Sequence, residues 1–162
     1  MIVVIFIICN FMLFFHLKIN YMYEKREIMS ATELANRYGF RIHKDFILYI
    51  KEYFPDCIQE LEVIGWQENN KKLYLPILIE IIEKYLGKPK YKKVTPHELA
   101  RIYGYSRFEY LRPYFDKYDS LRSELENMGW KYGIKYFIPM WIEIVVRHLG
   151  TPKKIDEIII KD

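Results

Sequence analysis

Six basic side chains stand where they could hold or read a nucleic acid: Arg41, Lys44, Lys92, Lys93, Arg107 and Arg112. Arginine pairs bidentately with guanine edges, and lysine serves as a point charge on phosphates. Arg41, His43 and Lys44 fall at the start of one predicted helix, and Arg107, Glu109 and Arg112 at the start of another. The start of the second helix is where a helix-turn-helix reaches base edges in the major groove. Three residues oppose that chemistry. Asp45 and Glu109 would face phosphates, and Pro113 is expected to kink or split the would-be reading helix. Lys88, Lys90, Lys92 and Lys93, with Tyr91 among them, form a basic linker. It could track a phosphate backbone, but a run of this kind is more often a solvated connector.

Other chemistries lack their residues. The chain has no His-x-x-x-His or Cys-x-x-Cys pair, no glycine-rich phosphate loop and no Gly-x-Ser-x-Gly elbow. Cys9 and Cys57 are its only cysteines and lie far apart, which reads as reduced thiols in the cytosol. Glu60, Glu62, Glu124 and Glu126 could pose as paired carboxylates. Beside Lys and Arg on a helix face, they read instead as solubilising charge. His148 lies on an apolar helix stripe, where a core or boundary role is expected. The sequence therefore points to a protein that is not an enzyme, with no cofactor, metal or small-molecule substrate.

Composition agrees with a globular chain, at 51% apolar and 28% charged residues. The net charge of +4 is uneven: residues 30–90 balance, whereas residues 91–162 carry 13 basic and 10 acidic groups. That surplus is compatible with phosphate contacts, yet weaker than the footprint of a dedicated nucleic-acid binder. The 15 tyrosines do not argue for base stacking, because an AT-rich genome would supply them.

The elements that must position these residues occur twice. Glu33-Leu34-Ala35 and Tyr38-Gly39 return as Glu98-Leu99-Ala100 and Tyr103-Gly104. Glu60-Leu61-Glu62 and Gly65-Trp66 return as Glu124-Leu125-Glu126 and Gly129-Trp130. Pro76, Ile79-Glu80-Ile81 and Leu86-Gly87 return as Pro139, Ile142-Glu143-Ile144 and Leu149-Gly150, all at a spacing of 63 to 65 residues. Ser30 with Glu33, and Thr95 with Glu98, form capping boxes that start a first helix, which Gly39 and Gly104 stop. Ser106 with Glu109 repeats the capping pattern for a second helix, and Asp56 and Ser120 are expected to cap a third. Asn69-Asn70 and Tyr132-Gly133 signal turns, with room for a small hairpin before the last helix of each copy. Pro76 and Pro139 open that helix. Its apolar stripe runs through Ile77, Leu78, Ile81, Ile82 and Tyr85, and then through Met140, Trp141, Ile144, Val145 and His148.

Leu-Ala-x-x-Tyr-Gly, with a capped start and a helix soon after the glycine, resembles the first half of a helix-turn-helix. The wording of copy two, with Glu98-Leu99-Ala100-Arg101-Ile102-Tyr103, Gly129-Trp130 and the closing Leu149-Gly150-Thr151-Pro152, is similar to a family of short domains of unknown function abundant in Bacteroides-type anaerobes. The resemblance implies a bacterial or mobile-element origin and carries over no activity or catalytic residue. Members usually hold a single copy, so the doubling here departs from their pattern.

Residues Ile2 to Leu17 are almost wholly apolar, a little short of the roughly 20 that cross a bilayer as a helix. They suggest either a membrane anchor holding a cytoplasmic protein to the inner face, or upstream sequence ahead of a start at Met22 or Met29. The expectation is an all-α protein of two tandem four-helix, helix-turn-helix-like domains: residues 1–28 a leader, 29–90 and 91–154 the repeats, and 155–162 a tail. Its expected partner is double-stranded DNA, bound as a covalent pseudo-dimer. The alternative is a protein–protein interaction adaptor presenting Tyr114, Tyr118 and Trp130, membrane-tethered if the leader is real.

Overall fold

Reciprocal hydrogen bonds start the first helix. In the computed structural model, which describes residues 28–67 and 73–161, the Ser30 hydroxyl accepts from the Glu33 backbone N–H at 3.1 Å. The Glu33 carboxylate accepts from the Ser30 N–H at 3.1 Å. Two otherwise free donors of α1, Ala31–Arg37, are thereby satisfied. Gly39, at φ +88°, ends it, and the Phe40 N–H reaches back to the Ala35 carbonyl at 2.9 Å. Then come α2, His43–Tyr53, α3, Pro55–Val63, and α4, Pro76–Leu86. The order recurs as α5, Pro96–Ile102, α6, Phe108–Lys117, α7, Asp119–Asn127, and α8, Pro139–Leu149, before a 3-10 turn at Ile155–Glu157. Thr95 and Glu98 make the second capping box, at 3.1 and 2.7 Å. The described residues are thus mostly helical, as expected. None of their helices is long and apolar enough to cross a membrane.

Several local expectations are corrected. Ahead of α4, β2, Leu73–Tyr74, pairs antiparallel with β1, Met29–Ser30, which precedes α1, and Val94 bridges Phe137 at the corresponding place in the second half. Asn69-Asn70 and nearly all of the leader lie outside the described residues. Asp56 and Ser120 do not cap α3 and α7. Those helices begin two residues earlier than such caps would allow, at Pro55 and Asp119, with Phe54 and Tyr118 as N-caps and no side-chain cap. Ser106 does not cap α6, whose N-cap is Arg107. Pro113 neither ends nor splits α6. Pro113 and Glu109 are both exposed, so the carbonyl that the ring leaves without a donor stands at the solvent side. In α4 the buried face is Leu78, Ile79, Ile81, Ile82 and Leu86, with Ile77 turned outward.

One apolar cluster runs through both halves, built on Trp66, Trp130, Tyr38, Tyr74, Phe46 and Phe115. The same polar fasteners close each half. The Tyr38 hydroxyl donates to the Gly87 carbonyl and the Tyr103 hydroxyl to the Gly150 carbonyl, both at 2.9 Å. These bonds tie the end of a half's first helix to the end of its last. Glu60 takes Lys84 at 2.6 Å and the Tyr85 hydroxyl at 2.8 Å; Glu124 takes Arg147 at 2.6 Å and His148 at 2.8 Å. The two glutamates expected to serve as free surface charge are in fact clasps between the third and fourth helices of each half. The linker is likewise no free connector. The Lys92 N–H donates to the Ile158 carbonyl at 2.7 Å and the Ile160 N–H to the Lys90 carbonyl at 2.9 Å, with Ile158 buried.

Candidate interaction surface

The six basic residues fall at three places in the chain: around the start of α2, ahead of α5, and in the first half of α6 with its N-cap. Arg41 and Lys44 are exposed at the start of α2, but His43 between them turns inward, its Nε2 lying 2.7 Å from the Tyr74 hydroxyl. It therefore serves packing in place of base reading. Arg107 is exposed in an open concavity of about 590 Å³ with Glu109, His97 and Ser106 in its lining. Arg112 is folded back onto its own half: its guanidinium lies 4.5 Å from the Tyr132 ring centre and 3.9 Å from Asp116. Asp116 also accepts from the Tyr132 hydroxyl and lies 3.7 Å from Arg122. Reaching a base would cost Arg112 these contacts. Lys92 is held by its backbone to the tail, and the Lys93 ammonium sits 5.5 Å from the Tyr136 ring centre.

A more definite surface is the one that joins the halves. Phe40, Tyr49 and Tyr53 form an aromatic row, with ring centres 5.1 and 4.8 Å apart. The row exists because positions 49 and 53 are one helical turn apart on α2 and Phe40 follows the Gly39 turn. It packs on the end of α7 and the start of α8. The Tyr49 hydroxyl donates to the Met128 carbonyl at 3.0 Å, and the Trp141 indole N–H donates to the same carbonyl at 2.8 Å. Both lone pairs of one helix-end carbonyl are thereby used. Burial there pushes the Tyr49 hydroxyl well above the ordinary tyrosine range. Approach is closest at two glycines. A Cβ built on Gly39 would lie 2.9 Å from Pro139 Cδ, and one on Gly129 would lie 2.7 Å from the Tyr53 ring.

Each half therefore owns two faces, and the joint uses a different one from each. The aromatic row of the first half is covered, but its counterparts Tyr105, Tyr114 and Tyr118, 65 residues on, have no such cover among the described residues. Tyr114 and Tyr118 are 37% and 41% exposed, against 8% for Tyr49. The receiving face of the second half is covered, with Ile138 and Met140 at 6% and 8% exposure; Leu75 and Ile77, which correspond to them, stand at 45% and 36%. The glycines agree. Among the described residues, no atom lies within 4 Å of a Cβ built on Gly104 or Gly65, the counterparts of Gly39 and Gly129.

Tyr114 and Tyr118 are thus accessible, as the adaptor expectation requires, but Trp130 is not. It is 1% exposed and stacks on Phe115 at 5.6 Å. Among the described residues its indole N–H has no acceptor, because Phe137 stands where the first half has Tyr74, whose hydroxyl accepts from Trp66 at 3.2 Å. Sequence reading missed Leu75, Ile77 and Ile64, three exposed apolar residues. The available signal was that Leu75 and Ile64 fall outside the buried helical stripes. Among the described residues no three His, Cys, Asp or Glu side chains gather to hold a metal. Cys57 is buried, and desolvation pushes its thiol up to about 12, so it stays protonated at neutral pH. The chain matches no family model, no curated protein and no solved structure.

Proposed function

We propose that this protein is a non-enzymatic interaction adaptor, built of two tandem four-helix units of helix-turn-helix type whose uncovered faces take a protein partner. The observation that carries this reading is the contrast between covered and uncovered versions of the same two faces. Tyr49 and Tyr53 are packed against Met128, Gly129 and Trp141, while Tyr114, Tyr118, Leu75 and Ile77 stand open. Apolar and aromatic side chains gathered on one face mark interaction sites, because leaving them in water forgoes burial energy. A partner recovered on the immobilised chain should survive high salt and nuclease treatment. It should be lost when Leu75→Asp or Tyr114→Glu is introduced. Retention by both variants would overturn the reading.

A second reading, duplex DNA bound by a covalent pseudo-dimer, is supported by the exposure of Arg41, Lys44 and Arg107 at the starts of α2 and α6. Its test is fluorescence anisotropy with duplex DNA across a salt series, since phosphate contacts weaken steeply with added salt. Affinity unchanged in the Arg41→Ala, Lys44→Ala, Arg107→Ala triple variant would rule it out.

A further inference from the structure

We infer that the uncovered faces are complementary to each other, and that the partner they take is a second copy of this chain, joined head to tail. The inference rests on the interaction reading above and adds the identity of the occupant. Inside the chain the aromatic row Phe40-Tyr49-Tyr53 docks on the Met128–Gly129 turn and the start of α8. The second half carries an aromatic row at the same positions, Tyr105, Tyr114 and Tyr118, with Tyr105 and Tyr114 already in ring contact at 5.8 Å. The first half carries a receiving face of the same kind. Ile64 and Gly65 stand for Met128 and Gly129, and Leu75 and Ile77 for Ile138 and Met140.

Repeating the internal joint between chains would place Tyr114 of one chain at the Ile64 carbonyl of the next. Gly104 and Gly65 supply the close approaches that Gly39 and Gly129 supply within the chain, and both are open to receive them. A joint made from two different faces is heterologous, so it leaves one face free at each end and grows into a ring or an open chain. The intermolecular version is also more polar, because Tyr105 replaces Phe40. Less apolar burial makes a reversible contact between chains, whereas the joint within the chain is permanent.

The test is sedimentation velocity on the full 162-residue chain over a concentration series, with Leu75→Asp and Tyr114→Glu as single-face variants. Both positions are exposed, and circular dichroism matching the wild type confirms that each variant folds; Leu75→Ser and Tyr114→Ser serve as a milder pair. The wild type should associate beyond a dimer as concentration rises. Each variant alone should be monomeric, with association weakened by about tenfold or more. An equimolar mixture of the two should form dimers and nothing larger, because it retains one intact row and one intact receiving face. Three results would overturn the inference. They are a wild type that stays monomeric, a mixture that stays monomeric, and a single variant that associates as the wild type does. The last would arise from like-with-like pairing, or from association driven by residues 2–17. A monomeric wild type that still holds a protein partner through Leu75 and Tyr114 would remove self-docking and leave the adaptor reading intact.

Discussion

The hydroxyl of Tyr49 and the carbonyl of Met128, 3.0 Å apart, join the two halves of this chain at a point where neither half is using its counterpart residue. Tyr114 and Ile64 hold the corresponding positions and remain exposed. Tyr49→Phe removes one donor but leaves the Met128 carbonyl bonded to Trp141, so the expected cost is about 1 kcal/mol. Tyr49→Ala also opens a cavity in the joint and should cost about 3 kcal/mol or more. Tyr114→Ala, on the uncovered row, should change the stability of a dilute sample by much less. Urea unfolding of the three variants checks the ordering.

The glycines give a paired comparison. Gly39 and Gly104 both sit at positive φ, +88° and +86°, so alanine at either should incur about 1 kcal/mol of left-handed strain. Only at Gly39 does the new methyl also meet Pro139 and Ile138, atoms of a rigid ring and a buried side chain. Gly39→Ala is expected to be the more destabilising by about 1 to 3 kcal/mol. Equal thermal shifts for the two variants would argue against the close approach of α8.

The orphaned indole of Trp130 offers a gain of stability. In the first half Trp66, Tyr74 and His43 form a chain of polar contacts at 3.2 and 2.7 Å. The second half has Phe137 and Phe108 in the latter two places. Phe137→Tyr alone brings an acceptor but sets its hydroxyl against the Phe108 ring, 5.8 Å away between centres, and little gain is expected. Phe108→His with Phe137→Tyr rebuilds the whole chain and should stabilise by about 1 kcal/mol. The comparison of single and double variants is a calorimetric melt.

The starts of α1 and α5 and the glycine stops were legible in the sequence because their causes are local. Ser30 with Glu33, Thr95 with Glu98, and the glycines at 39, 65, 104 and 129 act within a few residues of themselves. The strand pairing was not, since Met29 meets Tyr74 across most of a half, and nothing near Tyr74 announces that partner. The caps assigned to Asp56 and Ser120 failed because Phe54 and Tyr118 turn the chain abruptly, and α3 and α7 begin two residues sooner. The joint between the halves was hidden for a different reason. Tyr49 and Tyr114 look alike in a repeat, and only the three-dimensional relation of the copies decides which one is covered. Arg112 was legible as a basic residue at a helix start, but its stacking on Tyr132 depends on a loop some twenty residues away.

Acid should loosen the clasps on Glu60 and Glu124. Hydrogen bonds from Lys84 and Tyr85 hold the Glu60 carboxyl below its ordinary range, and those from His148 and Arg147 do the same for Glu124. A carboxylate whose folded pKa is depressed stabilises the fold fully above the unfolded value, about 4.3, and loses that contribution as pH falls through the folded value. Stability is therefore expected to decline below about pH 4.3. The Glu60→Gln, Glu124→Gln double variant should show a shallower decline from a lower plateau. Denaturant midpoints from neutral to acidic pH measure it, and parallel curves for variant and wild type would remove the clasps from the account.

The central claim is that one aromatic row is covered and its twin is not. Hydroxyl-radical footprinting read by mass spectrometry measures this residue by residue in a dilute sample. Tyr49 is predicted to be protected, and Tyr114 and Tyr118 to be labelled readily. Equal labelling of Tyr49 and Tyr114 would contradict the asymmetric joint on which the adaptor and self-docking readings both stand.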